Sequence, residues 1–577
     1  MSFFLSVLPI ILLIYLMVKR NALPSYVALP WIATLVMGVH LLHFNTDIVT
    51  ISANVTSAIV AVQTPITVIF GAILFNRFSE VSGATDIMRK WLGNINPNPV
   101  AQLMIIGWAF AFMIEGASGF GTPAAIAAPI LMGLGFNPLK VAMLTLIMNS
   151  VPVSFGAVGT PTWFGFGPLK LSEDMILEIG SMTALIHAVA ALVIPLLALR
   201  VLVSWSEIRK NLVFIYISIF ACVIPYLLLA QVNYEFPSLV GGAIGLFISV
   251  WVANRNIGLT KVENTLDRNA VTTGKVVKAL FPTGLLIAFL IVTRIHQLPF
   301  KAMMNDTTVW FSTVLGSLGT FEISKGLIFS LKNIFGSDVS SSYKLLYVPA
   351  LIPFIITVLI AIPVFGVSGA KVKDIFTSSL KQSKNPFIAL MGALVMVNLM
   401  LVGGEHSMVK IIGRTFAEIT GNDWTIFSSF LGAVGSFFSG SNTVSNLTFG
   451  SVQLSTAETT GISVALVLAL QSVGGAMGNM VCINNIVAVC SVLNIQNKEG
   501  TIIKTTIVPM VVYSIIAALC ATFLIPLLFE PTLISGMKEI SWLGIYPYVE
   551  TLVPQVILLI AALFALVYMK YQSRKSA

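Results

Sequence analysis

Apolar runs of roughly 17 to 25 residues, each long enough to cross the hydrocarbon core of a bilayer as a helix, recur from one end of the chain to the other. The stretches 23–42, 182–203, 212–230, 278–293, 347–365, 503–528 and 551–569 are examples. No water reaches that core to satisfy backbone N–H and C=O groups, so only helices and closed barrels cross it, and runs this long and continuous select helices. The chain therefore reads as an all-α polytopic membrane protein with about 13 to 15 transmembrane segments. Composition agrees: 57% of residues are hydrophobic, 10% are charged, and the mean hydropathy is +0.94. The formal charge of +9 does not point to nucleic acid, because Lys and Arg stand in short clusters between apolar runs.

Those clusters read as topology signals. Lys19/Arg20, Arg77/Arg89/Lys90, Arg255 to Lys278, Lys371 to Lys384 and Lys570 to Lys575 mark the cytoplasmic side, and the acidic "LSEDMILE" (171–178) and the neighbourhood of Glu530, Glu539 and Glu550 mark the outside. The first run, "SFFLSVLPIILLIYLMV", carries its charges after the apolar stretch with no small-residue cleavage site beyond, which predicts a retained span rather than a signal peptide. The N-terminus is then expected outside and the C-terminus in the cytoplasm. Cys222, Cys482, Cys490 and Cys520 lie in apolar segments without metal-ligand spacing and read as core residues.

One stretch breaks the pattern. "IEGASGFGTPAAIAAPI" (114–130) places an acid, three glycines and two prolines in a region with no other ionisable side chain between Lys90 and Lys140. An offset of 323 residues lays 115–150 on 438–473, Ser118 on Ser441 and Thr122 on Ser445; in both halves a Gly/Ser/Thr/Asn-rich break precedes an apolar helix that ends in a second break, "SFGAVGTPT" (154–162) and "GGAMGNM" (474–480). Matched interruptions in two halves are a transporter pattern. The charge bias brings the two motifs in from opposite faces, so an inverted repeat is expected, with two re-entrant hairpins. The chain divides accordingly: 1–98, N-terminal scaffold spans; 99–204, a first repeat with its hairpin at 115–135; 205–384, central scaffold with a cytoplasmic loop 255–278 and an outer loop 295–346 carrying interfacial helices; 385–528, a second repeat with its hairpin at 438–456; 529–577, an outer loop and a last span.

Non-helical backbone survives at membrane depth only where protein buries it or a wet cavity adjoins it. Gly116, Gly119, Gly121 and Pro123 thus predict a broken tip whose N–H groups, with about half a positive charge of helix dipole, suit an anion. From the opposite tip Ser441, Asn442, Thr443, Ser445 and Asn446 offer hydroxyls and amides. Substrate contacts are expected from Ser118, Gly119 and Thr122 on one side and Ser441, Asn442, Thr443 and Asn446 on the other, supported by Asn149, Thr160 and Gln471. A mid-span carboxylate costs at least roughly 2.5 to 3.5 kcal/mol on insertion scales, a cost that a proton removes, so Glu115 is the candidate proton carrier. His187, alone in an apolar span, is the candidate second relay or a packing residue. Arg294 ends its span, either snorkelling to the interface or pairing a substrate carboxylate. Glu405 and His406 precede an amphipathic, interfacial-looking helix and receive no site role.

The stretch 114–165, "IEGASGFGTPAAIAAPILMGLGFNPLKVAMLTLIMNSVPVSFGAVGTPTWFG", closely resembles the signature region of the L-lactate permease family. "FLGAVGSFFSGSNTVSNLTFGSVQLSTAE" (430–458) with "QSVGGAMGNM" (471–480) resembles its second signature. The resemblance implies an inner-membrane secondary transporter that takes up L-lactate, and often glycolate, with protons, and needs no cofactor. By fold-level analogy to the wider ion-transporter superfamily it implies Ser-Asn-Thr motifs at the substrate site, here 441–443, and an elevator-like motion. Two positions depart from the family pattern: its Gly-Ser-Asp-Thr and Gly-Gly-x-x-Gly-Lys-Met motifs have Asn442 and Asn479 here in place of both charges. Joint loss fits a buried ion pair in relatives, since stranding one partner costs roughly 3 to 5 kcal/mol while replacing both is nearly neutral. Na⁺ coupling and a different small monocarboxylate therefore stay open as alternatives, as does the choice between monomer and homodimer.

"GASG" (116–119) resembles the nucleophile motif of rhomboid intramembrane serine proteases, with Ser118 as nucleophile and His187 as base, but "IHAVAA" lacks the glycine of the rhomboid histidine segment. No GxxxxGK[ST] loop or HExxH motif supports an ATP-driven pump or a metalloenzyme. The expected partners are a small anionic substrate and the lipid bilayer, without a metal.

Overall fold

The computed structural model describes residues 2–18, 23–119, 122–262, 271–294, 298–349, 351–496 and 498–529. Among these, ten helices are long and apolar enough to cross a membrane, or eleven if the pair Pro138–Met148 and Val151–Leu169, bent by 49°, counts as one span. Four shorter apolar helices, Ser2–Met17, Leu351–Phe365, Trp424–Phe437 and Ile483–Val492, accompany them. Counting apolar runs gave more crossings, about 13 to 15, because composition cannot tell a full rod from an apolar run that the chain breaks or turns. The run at 551–569, Glu530, Glu539, Glu550, Lys570 to Lys575, Lys19 and Arg20 lie outside the described residues.

Two apolar cores organise the molecule. The larger joins 99–148, 179–253 and 465–525; the second gathers Ser2–Val18, Ser25–Leu42, Gly369–Met400 and Met408–Thr420. Between them runs Asn442–Thr460, which packs Val444, Leu447, Phe449 and Val452 into the second core while its polar residues are buried against the first half. Small residues let backbones touch where the first motif is embedded. A Cβ on Gly116 would lie 2.1 Å from the Leu239 backbone nitrogen, and one on Gly242 only 2.3 Å from that of Met113, so Ala111–Ser118 and Pro237–Asn254 meet backbone to backbone. Gly116 therefore serves packing rather than the break, which falls three residues later.

The segment 298–346 differs from expectation. Instead of interfacial helices beyond the short Pro299–Met304, the segment forms a four-stranded antiparallel meander, Val309–Val314 (β1), Thr320–Ser324 (β2), Ile328–Lys332 (β3) and Ser341–Lys344 (β4). The β-branched and aromatic residues of "VWFSTV" and "TFEIS" favour strands, and the first turn closes at Gly316 and Gly319, both at positive φ. Ser341 Oγ donates to the Ser57 carbonyl (3.1 Å) and Tyr343 OH to Thr67 Oγ1 (3.3 Å), which ties the sheet to Ile48–Ala61 and the helix after it.

Candidate functional site

Two helix–break–helix elements face each other. Ala111–Ser118 stops at Gly119, whose φ of 57° and ψ of −153° suit glycine alone, and Thr122–Gly133 follows; Trp424–Ser439 stops at Gly440 (φ 72°), and Asn442–Thr460 follows with Ser441 as its N-cap. At 12 residues Thr122–Gly133 is about 18 Å long, too short to cross. Between the breaks lies a narrow cleft, bounded by Glu115, Gly119, Val153, Gly156, Ala157 and Pro161 on one side and Gly440, Ser441, Asn442, Thr443 and Asn479 on the other.

A third break forms the floor. In Gly156–Trp163 the residues Ala157, Val158 and Gly159 have φ of 43°, 56° and 70°. Left-handed backbone at a β-branched valine is rare, and such residues cost of order 1 to 3 kcal/mol each unless the surroundings fix them. Here they do. Thr160 Oγ1 donates to the Ala157 carbonyl (2.5 Å), Trp163 Nε1 to that of Val158 (2.9 Å), and a Cβ on Gly159 would fall 2.1 Å from the Tyr234 carbonyl oxygen.

Glu115 is buried, 3% exposed, on the wall of this cleft. Its Oε2 accepts from Asn149 Nδ2 at 2.9 Å, and its Oε1 lies where a Cβ on Gly156 would come within 2.3 Å. Gly156 itself has φ −65° and ψ 159°, backbone that alanine adopts freely, so Gly156→Ala acts through the displaced carboxylate and not through strain. We expect that variant to fold, checked by its elution on size exclusion, and to lose at least about tenfold in initial transport rate, the effect of roughly 1.4 kcal/mol; an unchanged rate would mean that the Glu115 position is immaterial.

Across the cleft, the N–H groups of Asn442 and Thr443 occupy the first turn of a 19-residue helix and have no acceptor among the described residues, whereas Val444 N–H is capped by Ser441 Oγ (3.3 Å). Thr443 is 2% exposed. Asn442 Nδ2 donates to the Ser472 carbonyl (3.1 Å) and Ser154 Oγ (3.3 Å), and its Oδ1 has no partner. Ser154 Oγ also meets Ser472 Oγ (2.9 Å) and His187 Nε2 (2.8 Å), and His187 Nδ1 is hydrogen-bonded to Tyr513 OH. Asn446 and Gln471 are turned inward: Asn446 Nδ2 donates to the Pro161 carbonyl (2.9 Å), and Gln471 Nε2 to Ser445 Oγ (3.0 Å). These bonds knit the two halves together behind the cleft.

The structure thus brings Glu115, Gly119, Ser441, Asn442 and Thr443 to one wall-to-wall cleft and places the other expected contacts elsewhere. Ser118 Oγ donates to the Ile114 carbonyl of its own helix (3.0 Å), Thr160 holds the floor, and Asn149 touches Glu115. The side chain of Thr122, with Phe120 and Gly121, lies outside the described positions. His187 does not line the cleft but backs it through Ser154, and since neither Ser118 nor His187 bonds to the other, no protease dyad forms. Arg294 does hold a carboxylate, but the chain's own: its Nε donates to Glu235 Oε2 (2.5 Å), with both side chains buried, and its guanidinium lies 4.1 Å from the centre of the Tyr347 ring. Burial holds the Tyr347 phenol above its usual range. Ser154, Ser472 and Tyr513 were missed as contributors. The first two stand in or beside the second breaks of the repeat, a signal available in the sequence; Tyr513 had none.

A family model described as L-lactate permease matches residues 2–528. A Haemophilus influenzae protein named "Putative L-lactate permease" is 87% identical over 530 residues, covering 92% of this chain and 100% of that one. The L-lactate permease of Salmonella typhi is 27% identical over 538 residues (90% and 95% covered), and the glycolate permease GlcA of Escherichia coli K12 is 26% identical over 467 residues (76% and 80%).

Proposed function

The chain belongs to the L-lactate permease family, and from that premise we propose that it imports L-lactate, and small relatives such as glycolate, by proton symport with alternating access. A multi-pass membrane transporter rather than an enzyme is what the family supplies; substrate range and coupling are our reading. One observation carries it: the open first turn of Asn442–Thr460 faces a buried carboxylate across the narrow cleft between the two breaks. The N–H groups of Asn442 and Thr443, with the Thr443 hydroxyl, would receive the substrate carboxylate, helped by the helix dipole. Glu115 would carry the proton. On this reading the two helix–break–helix elements are re-entrant hairpins of an inverted repeat, and the sheet-bearing loop lies outside, opposite the basic cytoplasmic clusters.

Counterflow in proteoliposomes tests this directly. Labelled L-lactate should enter faster when unlabelled L-lactate is preloaded; a channel shows no such acceleration. An inward pH gradient should drive accumulation without sodium. The Na⁺-coupled alternative draws on the unpartnered amide oxygens of Asn149 and Asn442, hard ligands for a cation. It would replace ours if accumulation followed a sodium gradient and ignored pH.

A further inference from the structure

Glu115 has two oxygens in different surroundings. Oε2 is engaged by the Asn149 amide (2.9 Å). Oε1 lies between Gly156 and Gly119, 2.3 Å and 3.5 Å from where their Cβ atoms would be, and both glycines line the cleft. An oxygen that already accepts from an N–H cannot also point its own proton at that donor. We propose that Asn149 is a positioning residue: by donating to Oε2 it leaves Oε1, the cleft oxygen, to take the coupling proton, so protonated Glu115 offers an O–H to the arriving carboxylate and proton binding precedes substrate binding.

This rests on the proton-symport reading and deepens it. With Oε1 protonated, the cleft presents donors from both walls, Glu115 O–H on one and the Asn442 and Thr443 N–H groups on the other. Without that proton, Oε1 lone pairs face the substrate's negative oxygens and oppose binding. Among the described residues, the segments packed on Ala111–Ser118, namely Leu103–Phe110, Thr122–Gly133, Val151–Phe155, Gly156–Trp163 and Pro237–Asn254, contain no charged side chain, and the buried Glu235, which abuts Gly159, is paired with Arg294. Arg77 and Glu80, on the packed helix Gln63–Val81, pair with each other at its exposed end, and Glu458, on Asn442–Thr460, is bonded to Lys410. His187 stands behind Ser154, bonded on both ring nitrogens. On protonation no covalent bond but the new O–H forms; the proton leaves Oε1 to water when substrate is released inside.

The test is infrared difference spectroscopy of the full-length protein in lipid vesicles, with L-lactate as the probe and Glu115→Gln to assign the protonated carboxyl band. In the unaltered protein, L-lactate should shift that band as its O–H gains an acceptor. Asn149→Ala should move the lactate-free band to higher wavenumber, because the C=O of Oε2 loses its donor, and should raise the KM for counterflow about fivefold to tenfold, the worth of one hydrogen bond. Asn149→Ser, which keeps a donor, should move the band less. A band that ignores L-lactate, or that Asn149→Ala leaves in place, overturns the proposal: the proton would then sit on Oε2, with the Asn149 amide turned over. No Glu115-dependent band, together with uphill uptake by Glu115→Gln, would instead remove the coupling role of Glu115.

Discussion

Replacing Glu115 by Gln is expected to abolish accumulation of L-lactate against its gradient while leaving exchange intact. Gln preserves the shape of the side chain and can still accept from Asn149 Nδ2, so the wall of the cleft stays in place. What goes is the ability to bind and release a proton. One proton per lactate gives about tenfold accumulation per pH unit of inward gradient; in the variant the ratio should fall to about one. Counterflow should persist and lose its pH dependence, since Gln offers its amide N–H to the substrate at any pH. The sign follows from the chemistry: in the unaltered protein uptake is favoured by acid outside, where Glu115 is loaded, and release by the less acid cytoplasm. Proteoliposomes with an imposed pH gradient read both quantities, and undiminished uphill uptake would remove Glu115 from the mechanism.

What the sequence disclosed and what it hid follow one physical divide. Features enforced by the solvent are local: a bilayer demands apolar runs of set length, and breaking such a run demands glycine, so the spans, the breaks at Gly119 and Gly440 and the place of Glu115, Asn442 and Thr443 beside those breaks were legible. Features enforced by partners are not. Asn149 could be recognised as polar and buried, but that its partner is Glu115, 34 residues away, depends on how Pro138–Met148 ends beside Ala111–Ser118. Arg294 looked the same in sequence whether it snorkelled, met a substrate or met Glu235, and only the fold brings that glutamate to it. The sheet at 309–344 was overlooked because the surrounding helix-forming spans set the expectation, although its segments are rich in β-branched and aromatic residues. Gly116 misled in the other direction: identical in kind to Gly119, it serves contact with Leu239.

Asn442 and Asn479 yield the second large effect. Both line the cleft, at positions where the resemblance to the family motifs implies an acid and a base. Asn442 uses both amide hydrogens, on the Ser472 carbonyl (3.1 Å) and Ser154 Oγ (3.3 Å), so Asn442→Asp would set a carboxylate oxygen against a carbonyl oxygen at hydrogen-bond distance. Asn479 Oδ1 accepts from Asn485 Nδ2 (3.4 Å); Asn479→Lys would replace that acceptor by an ammonium, close to the positive first turn of Asn442–Thr460. Either change alone leaves a buried charge without compensation, at roughly 3 to 5 kcal/mol, and each single variant should lose about a hundredfold or more in transport rate or fail to fold. Together the charges can neutralise each other across the cleft, so the double variant should recover to within about tenfold of the original rate and unfold at a higher temperature than either single one. Initial counterflow rates and thermal unfolding of the three variants decide the matter: if the single changes prove as harmless as the double, the two asparagines do not stand in for an ion pair, and the neutral cleft has some other origin.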